Sequence, residues 1–79
     1  MKITFTLTQV DKGLSQDIQI SNTQRIIDTL QVLKENLPVF ADISLEERII
    51  EADSGREINI ENTYEQAHIY SGAELLIKS

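Results

Sequence analysis

One histidine, His68, and a run of carboxylates, Asp42, Glu46, Glu47, Glu51 and Asp53, are the side chains that could do acid–base or metal chemistry. A histidine acting as a general base needs a Ser and an Asp or Glu beside it, and a histidine holding a metal needs carboxylates brought from elsewhere. His68 is therefore read as a surface or hydrogen-bonded structural residue. The acidic run lacks the alternating oxygen ligands and the glycine of a calcium loop, and reads as a solvated acidic face. Gly13, Gly55 and Gly72 are isolated. With neither a Gly-x-Gly-x-x-Gly nor a Gly-Lys-Ser/Thr they build no phosphate cradle, and each reads as a turn residue. No cysteine is present, which excludes disulfides, thiolate metal sites and a cysteine nucleophile together. The expectation is a protein that is not an enzyme, with no cofactor and no metal.

Such a protein works through its surface, so its charge and size come next. The chain has 79 residues, room for one core, and reads as one domain over residues 1–79. Thirteen acidic against seven basic residues give a net charge of −6. That charge repels nucleic-acid phosphates and the anionic face of a membrane, so neither is an expected partner. The first residues alternate like a strand and hold no apolar leader, and no apolar run approaches ~18 residues. No membrane insertion is expected, and the protein reads as cytoplasmic and unprocessed.

The elements that would shape this surface follow from the spacing of apolar residues. Ile3, Phe5 and Leu7 alternate with Thr4 and Thr6, which predicts a first strand. Asp11-Lys12-Gly13 supplies a turn, and Asp17-Ile18-Gln19-Ile20 alternates again, so the two runs predict an antiparallel hairpin. Ser21, Asn22 and Thr23 are good helix caps, and Ser21 with Gln24 forms a capping-box pattern. Ile26, Leu30, Leu33 and Leu37 then recur at helical spacing, and Pro38 ends the helix near Asn36 or Leu37. Phe40 and Ile43 are expected to lid the core. A strand over residues 48–52, a brief one around Ile58 and Ile60, a short helical turn opened by Asn62-Thr63, and a last strand over residues 74–78 complete the reading. A helix after one hairpin buries its stripe by crossing the face of a mixed sheet, which makes the class α+β with four to five strands on one main helix and a short second helical turn.

This order of elements, with Arg48-Ile49-Ile50-Glu51-Ala52, Thr63-Tyr64-Glu65-Gln66-Ala67-His68-Ile69 and Leu75-Leu76-Ile77, resembles ubiquitin over essentially the whole chain, and implies a ubiquitin-like β-grasp fold. Within ubiquitin-like proteins, Ile69-Tyr70-Ser71-Gly72-Ala73-Glu74-Leu75-Leu76-Ile77 looks most like the YukD/EsaB family, small proteins encoded with bacterial type VII secretion systems. That family typically has an aspartate after the glycine, where this chain has Ala73. The resemblance implies a non-catalytic accessory or regulatory component of such a system. Its implied partner is the cytoplasmic domain of a secretion-machine protein. Substrates of those systems are helical hairpins with a Trp-x-Gly turn, and this sequence has no tryptophan. Ubiquitin and the sulfur carriers act through a Gly-Gly tail, whereas these residues end Ile77-Lys78-Ser79, a bulky segment that disfavours conjugation or sulfur transfer. A carrier made from a longer Gly-Gly-ending precursor is the alternative.

Strand alternation gives the surface its centre. If Ile49, Leu75 and Ile77 face the helix, then Ile50, Leu76 and Lys78 face outward with Thr4 and Thr6. In ubiquitin the corresponding face carries a hydrophobic patch. By that resemblance Ile50 falls on its isoleucine, Leu76 replaces its histidine and Lys78 its valine. The candidate protein-binding residues are Ile50 and Leu76, fringed by Lys78, Arg48 and Lys2. Set against this is the plain reading of scattered exposed aliphatics. A self-associating module using the same face, a homodimer, is a third reading.

Overall fold

In the computed structural model, which describes residues 1–42 and 48–78, strands β1 (Lys2–Gln9) and β2 (Leu14–Ser21) form an antiparallel hairpin, with Ile3 opposite Ile20 and Phe5 opposite Ile18. A 3-10 turn over Val10–Lys12 joins them and closes on Gly13 at φ 63, a left-handed backbone that a residue lacking Cβ adopts without steric cost. The strand formed by Glu74–Lys78 runs parallel to the free side of β1. Two antiparallel strands complete the sheet. With β3 as Arg48–Glu51, β4 as Glu57–Ile58 and β5 as Glu74–Lys78, the order is β2-β1-β5-β3-β4. The fold is the expected α+β arrangement, a mixed five-stranded sheet on one main helix.

The alternation in β1 sorts its side chains as the sequence implies. Ile3, Phe5 and Leu7 are buried, whereas Thr4 is exposed and Thr6 and Thr8 are half-buried. Helix α1 (Ile26–Asn36) lays Ile26, Leu30 and Leu33 on that inner face, and Leu37 packs partly against the same cluster. Each such burial contributes about 1.5–3 kcal/mol of transfer free energy, most of it offset by lost chain entropy. Leu37 leaves helical geometry at φ −115 and ψ 116, as a residue before proline does, and its N–H still donates to the Leu33 carbonyl at 2.9 Å. Pro38 opens a second 3-10 turn, Pro38–Phe40, which sinks the Phe40 ring into the core. Ile43, the other expected lid residue, lies outside the described residues.

The helix start differs from the capping-box expectation. α1 begins at Ile26 after Arg25, and no side chain caps it. The Ser21 hydroxyl is bonded to that of Thr23 at 2.9 Å, and the Gln24 N–H donates to the Ser21 carbonyl in a turn before the helix. The first helical N–H groups are satisfied from another part of the chain: Ile26 donates to the Asn62 carbonyl at 3.0 Å and Ile27 to that of Ile60 at 2.8 Å. The donors left free at any helix start must find an acceptor, and here tertiary structure supplies it before a local hydroxyl can.

The capping box operates instead at the second helical turn. The Thr63 N–H donates to Gln66 Oε1 and the Gln66 N–H to Thr63 Oγ1, both at 3.0 Å. The turn ends through His68 at φ 59, with the Ile69 N–H reaching the Tyr64 carbonyl at 3.0 Å and the His68 N–H that of Glu65 at 3.1 Å. This is a Schellman closure, capping a helical segment only one turn long. Among the described residues, no helix is long and apolar enough to cross a membrane.

Candidate protein-binding face

The outer side of the sheet, away from α1, is built by strand register. Ile50 in β3 stands directly opposite Leu76 in β5, and both are half-buried. Directly opposed residues bring their Cβ atoms to about 4.5–5.5 Å, so the two side chains form one apolar step. Their neighbours Ile49, Leu75 and Ile77 are 1–3 % exposed and point to the helix, as the alternation implies. One row along, Arg48 stands opposite Lys78, both exposed, and no ion pair holds either among the described residues. Like charges face to face on a sheet disfavour folding slightly. A cationic row thus lies beside the aliphatic one, with no ion pair among the described residues to offset it.

The structure gathers Ile50, Leu76, Arg48 and Lys78, and separates Lys2 from them. Leu76 is level with Thr8, while Lys2 pairs with Ser21 at the other end of β1. At ~3.3 Å per residue that end is about 20 Å away. Three neighbours of the patch were not among the sequence candidates. Val10 is 43 % exposed, follows Gln9 where β1 pairs with Ile77, and belongs to the 3-10 turn packed against β5. Glu57 stands opposite Ile50, and Glu74 opposite Thr6. The Thr8 hydroxyl donates to Glu74 Oε2 at 2.9 Å, and that of Thr6 to Asp17 Oδ1 at 2.8 Å.

The acidic run is not a solvated face throughout. Glu51 is buried, receiving hydrogen bonds from Ser54 Oγ at 2.8 Å and Arg56 Nη2 at 3.3 Å. Its position in β3, two residues beyond Ile49, turns it to the inner side, where a carboxylate requires partners. Asp42 pairs with Lys12 at 3.0 Å, and Asp53 accepts the Tyr70 hydroxyl at 2.6 Å, which holds that phenol above its ordinary pKa. Glu46 and Glu47 lie outside the described residues. Each described carboxylate of the run serves its own neighbour, and no group of three potential ligands converges among the described residues. His68 is exposed and occupies the left-handed closing position of the helical turn.

No protein-family model matches the chain, and no curated protein does. Solved structures do. A de novo designed protein based on ubiquitin aligns over 98 % of this chain and 87 % of its own, with TM-score 0.73 and 22 % identity. The ubiquitin-like domain of Plasmodium falciparum Dsk2 aligns over 99 % and 100 %, with TM-score 0.69 and 18 % identity. The EccD5 ubiquitin-like domain from Mycobacterium xenopi aligns over 99 % and 93 %, with TM-score 0.60 and 16 % identity. At these identities the likeness concerns architecture, and it shows that the chain has the ubiquitin-like β-grasp fold.

Proposed function

We propose that this protein is a non-catalytic, cytoplasmic docking component of a bacterial type VII secretion system. It binds the cytoplasmic domain of a secretion-machine protein through its outer sheet face. The observation that carries the reading is the half-exposed Ile50–Leu76 step flanked by the unpaired Arg48–Lys78 row. An aliphatic centre with a charged margin is the usual anatomy of a protein interface, the centre giving affinity and the margin orientation. The resemblance of residues 69–77 to the YukD/EsaB family and the fold shared with the EccD5 domain support the choice of system. The mechanism is occupancy and positioning, without bond chemistry.

The test titrates purified cytoplasmic domains of the secretion-machine proteins with wild type and with an Ile50→Asp/Leu76→Asp variant whose melting curve shows it folded. Wild type binds one of them, and the variant binds it at least about tenfold more weakly, the loss of a buried aliphatic anchor. Equal binding by the two proteins removes the sheet face from the mechanism.

A further inference from the structure

The outer face is sorted by charge along its strands. Arg48 and Lys78 form one row, Ile50 and Leu76 the next, with Glu57 at its β4 edge, and Glu74 and Asp17 lie in the row after that, both level with Thr6. On β5 alone, Lys78 and Glu74 stand on opposite sides of Leu76, each about 7 Å from it along the strand. The ion pairs among the described residues are Lys12–Asp42, Arg25–Asp28 and Arg56–Glu51, so none of these face charges is neutralised by them. Glu74 and Asp17 are instead held in position by the Thr8 and Thr6 hydroxyls.

On β5 a cation and an anion stand on opposite sides of an apolar residue, and that strand is complementary to itself turned over, with Glu57 confined to the far edge of the sheet on β4. We propose that a second copy of this chain covers this face, about a two-fold axis running across the strands through Leu76. That rotation lays Leu76 on Leu76 of the second copy and sets Lys78 over Glu74 of the second copy. The strands of the two sheets then run antiparallel, at the ~10 Å spacing of stacked sheets. Because the contact is isologous, each attraction occurs twice. The apolar centre is small, so the interface belongs to the weak class below about 1,200 Å², with a dissociation constant on the order of 1 mM. The dimer hides the docking face, so only the monomer is competent to bind a partner. The proposal shares with the docking reading only the identity of the face, and self-association is measured with no partner present, so the two fail separately.

Sedimentation equilibrium of the isolated protein up to about 1 mM tests it. Wild type shows concentration-dependent dimer. Lys78→Glu and Glu74→Lys each weaken it about tenfold by setting like charges against each other at both symmetric contacts. Glu74→Lys does so even though it reduces the chain's net negative charge. The double exchange Lys78→Glu/Glu74→Lys keeps the net charge and the complementarity, and dimerises like wild type. An equimolar mixture of the two single variants associates more strongly than either alone. A monomeric wild type, single variants that dimerise like wild type, a double exchange as weak as the singles, or a mixture no stronger than its components each overturns the proposal. Melting curves of all variants establish that they are folded.

Discussion

The rings of Phe5 and Tyr64 meet in the core with centroids 5.1 Å apart and planes tilted by 38°. Tyr64 is fully buried, although it belongs to the one-turn segment and not to the sheet or the main helix. Burial penalises its phenolate and pushes its pKa up to about 12, with a hydrogen bond to Thr29 acting in the opposite direction. The folded pKa thus lies above the unfolded value of about 10. The unfolded chain releases this proton first as pH rises. The associated stability is complete below about pH 10 and is lost between about pH 10 and 12, amounting to roughly 2–3 kcal/mol. Urea melts of wild type and Tyr64→Phe across this range measure it. The wild-type curve falls more steeply, and identical slopes refute the assignment to Tyr64.

Arg56 joins two parts of the fold through one side chain. Its Nη2 donates to the Ala67 carbonyl at 2.7 Å and to buried Glu51 at 3.3 Å, tying β3 to the end of the helical turn. Arg56→Ala leaves both acceptors short of a donor and destabilises the fold by about 2 kcal/mol. Adding Glu51→Gln, which removes the buried charge, recovers part of that loss. A double-mutant cycle by chemical denaturation reads the coupling, and additive single effects show that the pair is not coupled.

His68 closes its turn at φ 59, a conformation that an L side chain adopts only at some cost. His68→Gly therefore stabilises the protein by about 0.5–1 kcal/mol, the relief at the closing position outweighing the extra entropy of the unfolded chain. Thermal unfolding checks the sign. A lower melting temperature means that the imidazole makes a stabilising contact outweighing the strain.

These residues also mark how far the sequence could be read. The period of two in β1 and the aliphatic run of β5 carried the strands and the outward placement of Ile50 and Leu76, because side-chain facing is a local property of a strand. The position of Lys2 is not local. Its distance from Leu76 depends on the parallel register of β1 with β5, joined across most of the chain, and no neighbouring residue encodes that register. Glu51 falls between the two cases: alternation from Ile49 turns it inward, but its partner Arg56 is also bound to the Ala67 carbonyl, which arrives from elsewhere in the chain. Ser21-x-x-Gln24 and Thr63-x-x-Gln66 show the limit most plainly. Both fit the capping pattern, but at the start of α1 the carbonyls of Ile60 and Asn62 take the donors that a local cap would have served.

The sheet joins its first strand in chain order directly to its last, with β3 and β4 attached only through β5. A chain emerging from the ribosome can close the β1–β2 hairpin early, but it has no continuous sheet on which to seat α1 until Glu74–Lys78 has left the exit tunnel. The seating of α1 therefore waits on a pairing between segments roughly seventy residues apart, and the apolar stripe of the helix has no cover until that distant strand docks on β1.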